Sequence, residues 1–266
     1  MAFILCIAPV YGQPPACTST PDAGIKYLLD CSEPGGILRS MNETLLDAIE
    51  INPPGKPQAC IIWLHGLGAN GHDFEPLIPQ LGIVEQHAVR VVLPHAPSRA
   101  VTINNGAVMP AWYDIRMAAD FGRVQDSEGI RETEQRLNAL IAREIENGID
   151  SRHILLAGFS QGGAIVLHSG LRFPQPLAGI LALSTYLPLA DTLQQEAAEA
   201  NRSISLMMAH GTSDPVVPLA LAEQSRAELE QQGYAVDWRS YPMQHAVCPE
   251  EIVDIRDWII KALKAG

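Results

Sequence analysis

The stretch Gly158-Phe159-Ser160-Gln161-Gly162 constrains the fold of this chain more than any other. Ile154-Leu155-Leu156-Ala157 precedes it, and four consecutive apolar residues of this kind predict a strand buried on both faces, as in a parallel sheet. Ala164-Ile165-Val166-Leu167 follows and opens a helix. A serine at such a junction sits on a tight strand-to-helix turn, in a strained backbone conformation, with its Oγ held above the sheet edge. Small residues at 158 and 162 let strand and helix approach closely. The same turn aims the Gln161 amide at any oxyanion formed on a substrate bound to Ser160. A Gly/Ser-rich turn without chemistry is the alternative, and the flanking strand and helix argue against it.

The rest of the chain repeats that alternation. Strands are expected at 59–64, 89–93, 153–157, 177–183, 204–209 and 234–241. Helices are expected at 130–147, 191–200, 218–232 and 249–264, with Gly148 and Gly233 as stops. Strands alternating with helices predict a mostly parallel central sheet covered by helices on both faces. Residues 94–110 read as a Pro/Gly/Asn-containing loop, and Asp191 as a helix N-cap. Residues 41–266 form the expected catalytic domain. Residues 1–40 carry Cys6, Cys17 and Cys31 and little periodicity, and read as an extension outside it.

Composition narrows the function classes. The net charge is −12 with no Lys/Arg cluster, which argues against nucleic acid and anionic membrane surfaces as partners. No apolar run approaches the roughly 20 residues that span a bilayer, so no integral membrane association is expected. Five scattered cysteines without a CxxC pair suggest neither a disulfide framework nor a zinc site, and fit a reducing, cytoplasmic setting. Export is the alternative, with the apolar residues 1–12 acting as a weak signal peptide that lacks a basic start. A homodimer is compatible with the chain.

A serine hydroxyl needs a base, and on an elbow of this kind the chain order is serine, acid, histidine. His245 follows the strand 234–241 and lies far enough beyond Ser160 to serve. His168 lies within the helix after the serine, His210 ends a strand, and His65 comes too early. Among Asp191, Asp214 and Asp237, only Asp214 sits directly past a strand end, in Gly211-Thr212-Ser213-Asp214-Pro215. Capping a helix at Pro215 is its alternative role. Glycines in His65-Gly66-Leu67-Gly68 let the backbone turn its amides inward, which assigns Leu67 N–H as a second oxyanion donor beside Gln161 N–H.

Five segments together carry a family resemblance: Leu64-His65-Gly66-Leu67-Gly68, Met109-Pro110-Ala111-Trp112-Tyr113-Asp114, Gly158-Phe159-Ser160-Gln161-Gly162-Gly163, His210-Gly211-Thr212-Ser213-Asp214-Pro215-Val216-Val217-Pro218, and Met243-Gln244-His245-Ala246-Val247-Cys248. In this order, over about residues 50–262, the chain resembles the carboxylesterase/acyl-protein thioesterase (lysophospholipase-like) branch of the α/β-hydrolases. The resemblance implies an α/β-hydrolase fold with little or no cap. It implies Ser160, Asp214 and His245 as catalytic residues, Leu67 and Gln161 as the oxyanion hole, and no metal or organic cofactor. Trp112, in a loop beside the site, and Leu187, after the strand 177–183, are the expected substrate contacts. Residues 1–40 have no counterpart in the family pattern, and Gln244 stands where a small residue is common. The expected reaction is hydrolysis of short- to medium-chain carboxylic esters, a small-molecule acyl ester being the partner. A thioesterase or lysophospholipase would use the same residues. A non-catalytic binding protein of the same fold is the remaining alternative, and intact Ser, Asp and His argue against it.

Overall fold

The computed structural model describes residues 45–117 and 123–265; the expectations for residues 1–40 and Met41 lie outside them. Eleven strands are β1 (Ala48–Ile51), β2 (Ala59–Leu64), β3 (Val89–Pro94), β4 (Ser98–Val101), β5 (Ala107–Pro110), β6 (Ile115–Met117), β7 (Arg123–Gln125), β8 (Ile154–Phe159), β9 (Gly179–Leu183), β10 (Ser205–Gly211) and β11 (Val236–Tyr241). The helices are α1 (Ile78–Leu81), α2 (Ile83–His87), α3 (Ser127–Glu146), α4 (Gln161–Arg172), α5 (Ala190–Glu196), α6 (Leu219–Gln231) and α7 (Pro249–Ala265).

Seven strands form one sheet in the order β1-β3-β2-β8-β9-β10-β11. Only β1 runs antiparallel to its neighbour; the other pairs are parallel. Every residue of β2, β8 and β9 is buried, which is why these strands read as unbroken apolar runs. Successive side chains alternate between two cores. Cys60, Ile62, Leu64, Ile154, Leu156, Ile180 and Met208 pack under α3 and α4. Ile61, Trp63, Leu155, Ala157, Leu181 and Met207 pack under α1 and α7. Each buried aliphatic side chain is worth about 1.5–3 kcal/mol, so both faces need their helices to cover them.

Helix α3 starts at Ser127, three residues before the sequence expectation, because the Asp126 carboxylate accepts from the Gly129 amide (3.2 Å). It presents Ile130, Leu137, Leu140 and Ile141 to the sheet. Its buried Glu144 accepts from Arg90 (2.9 Å) and Arg143 (2.9 Å), and Arg90 also meets Glu50 at 2.7 Å. This network ties the end of α3 to the edge strands.

Two expectations are corrected. The region 94–110 is not one loop: β4 and β5 pair as a hairpin, and β6 and β7 form a second, before α3. Asp191 is not a cap: Leu189 holds that position and Asp191 lies in the first turn of α5.

The first turn of α7 buries Glu251 completely. No side chain among the described residues hydrogen-bonds to its carboxylate. Burial pushes its pKa up to about 8, against the opposing hydrogen bond from the Cys248 backbone N–H and with a smaller contribution from Asp254.

Candidate active site

Parallel register brings the carboxyl ends of β2, β8, β9, β10 and β11 to one edge: Leu64 pairs with Gly158, Phe159 with Leu183, Ala209 with Leu183, and Gly211 with Tyr241. The loops that leave this edge carry the candidate residues.

Ser160 lies between β8 and α4 with φ 55° and ψ −118°, the strained turn the sequence predicts. The strain persists because the turn is held from several sides. Ser160 N–H donates to Leu183 O (2.8 Å), and Thr185 Oγ1 donates to Ser160 O (2.7 Å). A Cβ on Gly158 would lie 2.4 Å from Gly162 O, and one on Gly162 would lie 2.4 Å from Leu64 O. Both positions admit only hydrogen, which is how β8, α4 and β2 converge on the serine.

His245 Nε2 lies 2.9 Å from Ser160 Oγ, and His245 Nδ1 lies 2.6 Å from Asp214 Oδ2. A carboxylate only accepts, so Nδ1–H donates to Asp214 and leaves Nε2 as acceptor for the serine hydroxyl. The other oxygen, Asp214 Oδ1, accepts from the amides of Val216 (2.8 Å) and Val217 (2.9 Å). Burial would raise the Asp214 pKa, but the hydrogen bonds from His245 and these amides prevail and hold it below the usual range. Asp214 caps no helix, since α6 begins at Leu219 with Pro218 in the cap position.

His210 stabilises the same loop. Its Nε2–H donates to Val217 O (2.8 Å) and lies 3.5 Å from Asp214 Oδ2, while its ring stacks on Trp238. Burial holds its pKa below the ordinary value. His168 is buried against Glu134 at 3.1 Å, away from the serine. His65 fixes the early loop. Its Nδ1–H donates to Gly66 O (2.7 Å), its Nε2 accepts from Ala96 N–H (3.1 Å), and burial lowers its pKa to about 4.

The Leu67 loop lies against the elbow: a Cβ on Gly66 would come within 3.5 Å of Ser160 Cβ. Gly68 N–H donates to Pro110 O (2.9 Å), which anchors the loop to β5. Gln161 opens α4, where first-turn amides have no intrahelical acceptor and the helix dipole favours negative charge. Its side chain has a second role that the sequence did not suggest. Gln161 Oε1 accepts from Trp112 N–H (2.8 Å) and Nε2 donates to Tyr113 O (2.6 Å), so one amide clamps two consecutive residues of the neighbouring loop.

Trp112 is fully buried and presents no accessible surface to a substrate. Its Nε1–H donates to His65 O (2.8 Å) and its ring packs on His65 at 5.0 Å. The expected pocket-lining role is therefore replaced by a supporting one. Leu187 is also buried, with its amide donating to Ser225 Oγ (2.9 Å). Gln244, by contrast, is exposed. Thr185 escaped sequence reasoning, although its place just past a strand end at this edge was a usable signal. Among the described residues no group of His, Cys, Asp and Glu is arranged to hold a metal ion.

A hydroxyl hydrogen-bonded to an imidazole that is itself held by a buried carboxylate can lose its proton while attacking an acyl carbon. The comparisons with known proteins point the same way. The Phospholipase/Carboxylesterase family model matches residues 47–263. Acyl-protein thioesterase 1 of Cryptococcus neoformans is 38% identical over 237 residues, covering 83% of this chain and 99% of the relative. Among solved structures, Arabidopsis thaliana SOBER1 superposes with a TM-score of 0.71 at 30% identity, over 77% of this chain and 99% of that one. Zea mays acyl-protein thioesterase 2 gives 0.73 at 29% identity, over 82% and 99%.

Proposed function

The chain belongs to the phospholipase/carboxylesterase family of hydrolases, and on that premise we propose that it is a serine acyl hydrolase whose preferred substrates are acyl thioesters. The observation that carries the reaction type is the hydrogen-bonded run Ser160–His245–Asp214, at 2.9 and 2.6 Å. In this reading Ser160 Oγ attacks the acyl carbonyl and His245 takes its proton. The amides of Leu67 and Gln161 stabilise the oxyanion, each donor being worth about 3–4 kcal/mol in the transition state. His245 returns the proton to the leaving thiol or alcohol, then activates water against the acyl-enzyme.

Thioesters are preferred to simple carboxylic esters because the relatives that share 38% identity bear the name acyl-protein thioesterase. Short- to medium-chain ester hydrolysis is retained as a second reading, supported by the carboxylesterase half of the family description. Residues 41–266 are proposed as the catalytic unit, with 1–40 as an extension. A cytoplasmic setting belongs to the same reading, supported by the unpaired thiols Cys60 and Cys248. No helix of the described residues is long and apolar enough to cross a membrane.

The test compares an octanoyl thioester with the matched oxygen ester, for the wild-type protein and Ser160→Ala. Turnover of both by the wild type, a higher kcat/KM on the thioester, and loss of both in the folded variant are expected. Residual turnover near wild type in Ser160→Ala sinks the mechanism. Preference for the oxygen ester sinks the substrate assignment alone.

A further inference from the structure

A second concavity lies at the opposite end of the sheet. A cavity of about 370 Å³ opens where the chain enters β2, β3 and β8 and where α7 ends. Strand β2 has six residues, so at about 3.3 Å per residue the cavity lies on the order of 20 Å from the Ser160 edge.

Its wall is chemically divided. The half-buried Ile260 and Leu263 give it an apolar side, with the fully buried Ile83 behind them. Lys56, Lys264, His87 and His153 give it cationic and N–H-donating groups. Asp150 is the single acid there, and it is engaged: Oδ1 accepts from Arg152 N–H (3.0 Å), and Oδ2 lies 3.6 Å from the Arg152 guanidinium.

The charge pattern of the whole molecule makes this wall unusual. The chain carries a net charge of −12. Every arginine with a described side chain is in an ion pair. Among the described residues, Lys56, Lys261 and Lys264 are the cations in no ion pair, and two of these three line this cavity. Among the described residues, no carboxylate pairs with these ammonium groups around a concave, half-apolar space. Lys56 and Lys264 are both exposed, at the mouth of the cavity, and two ammonium groups that share a concave space with apolar walls have the makings of an anion site.

We propose that this cavity binds a small amphiphilic carboxylate, with the anionic head at Lys56 and Lys264 and a short to medium alkyl chain against Ile260 and Leu263. The volume is at the small end of ligand pockets, which fits a compact chain rather than a long lipid. The site stands on the cavity and its charges alone. A carboxylate of this class is also a product of acyl hydrolysis, and that connection, unlike the site, rests on the reading of Ser160.

The test is octanoate titrated calorimetrically into the Ser160→Ala protein, which removes turnover from the measurement, with amide hydrogen exchange recorded on the same samples. Saturable binding with protection of residues 56–59, 83–87 and 260–264 is expected. Lys56→Met with Lys264→Met keeps the alkyl stems and removes the charges. Each lost charge-assisted contact should weaken binding about tenfold, with no change in wild-type turnover when placed in the active protein. Binding unchanged by the double substitution overturns the proposal, as does protection confined to 158–162. Octanol binding as tightly as octanoate removes the role of the charge. Inorganic phosphate binding as tightly removes the role of the apolar wall.

Discussion

Glu251 gives the fold a pH dependence that can be worked from its surroundings. The carboxyl is completely buried and has no side-chain hydrogen bond, so folding carries its pKa from 4.5 up to about 8 despite the opposing Cys248 backbone N–H. The unfolded chain releases this proton near pH 4.5, whereas the folded chain keeps it to about pH 8. Between those values the unfolded state binds fewer protons, so stability falls as pH rises. At about 1.4 kcal/mol per pKa unit, the folded state is destabilised by up to about 5 kcal/mol at pH 8 and by almost nothing below pH 4.5. Glu251→Gln keeps the shape, stays uncharged at every pH, and retains an oxygen that can accept from the Cys248 backbone N–H. The stability gap between variant and wild type should be small at pH 5 and widen by about 1.4 kcal/mol per pH unit toward pH 8. Solvent reaching the carboxylate would reduce the slope but not reverse its sign. Urea unfolding at pH 5, 6.5 and 8 measures the gap directly. A gap that stays constant across that range refutes the reasoning, because a buried acid that ionises freely when folded would give no pH term. Asp214 acts in the opposite sense and outside this window: its depressed pKa contributes stability above the ordinary carboxylate range, which is lost as pH falls below it.

Asp214→Asn should lower kcat by about 10³–10⁴ with the fold retained, because asparagine no longer fixes the Nδ1–H tautomer of His245; steady-state kinetics and circular dichroism check both halves. Gly162→Ala places a methyl 2.4 Å from Leu64 O, so unfolding experiments should show a loss of more than about 2 kcal/mol, with turnover falling as the elbow shifts. Trp112→Ala should destabilise the protein by about 3–5 kcal/mol and depress rates on acetyl and octanoyl substrates alike; an effect on long chains alone would restore its pocket role. A chain beginning at Met41 should fold and turn over octanoyl substrates at the wild-type rate, and loss of turnover in a soluble, folded protein would overturn the view of residues 1–40 as an extension.

The strands were the easiest elements to read. Parallel strands buried on both faces carry unbroken apolar runs, and the expected starts of the strands near 59, 89, 153, 177, 204 and 234 fall within two residues of β2, β3, β8, β9, β10 and β11. The elbow was legible because it demands both a backbone conformation and glycines at fixed positions. The hairpins β4–β5 and β6–β7 were not, since short exposed strands of mixed polarity have no face to betray them. Side-chain roles set by distant partners were equally hidden. Nothing local in Gln161 announces that its amide spans to Trp112 and Tyr113, nearly fifty positions away. Position in a loop beside the site does not tell whether a side chain faces it; burial depends on what packs around it, and His65 and Gln161 hold the Trp112 ring and backbone. Asp214 was separated from Asp191 by position past a strand end, and β10 delivers it there with its loop closed by His210.

The place of β11 at the sheet margin has a consequence for biosynthesis. Among the described residues it pairs only with β10, and the His245 loop that follows it rests on the acid loop through Thr212 N–H to Tyr241 O (2.8 Å) and Ser213 N–H to Met243 O (3.1 Å). A nascent chain that has emerged as far as Gln231 already holds Ser160 and Asp214 but has no imidazole for the serine. On the proposed assignment of Ser160, Asp214 and His245, unfinished chains are born without acyl-transfer chemistry, and competence arrives in a single late step when the last strand docks. A serine-directed phosphonate added to ribosome-arrested chains of graded length would register that step as an abrupt onset of labelling, timed to the release of α7 rather than to the appearance of the serine.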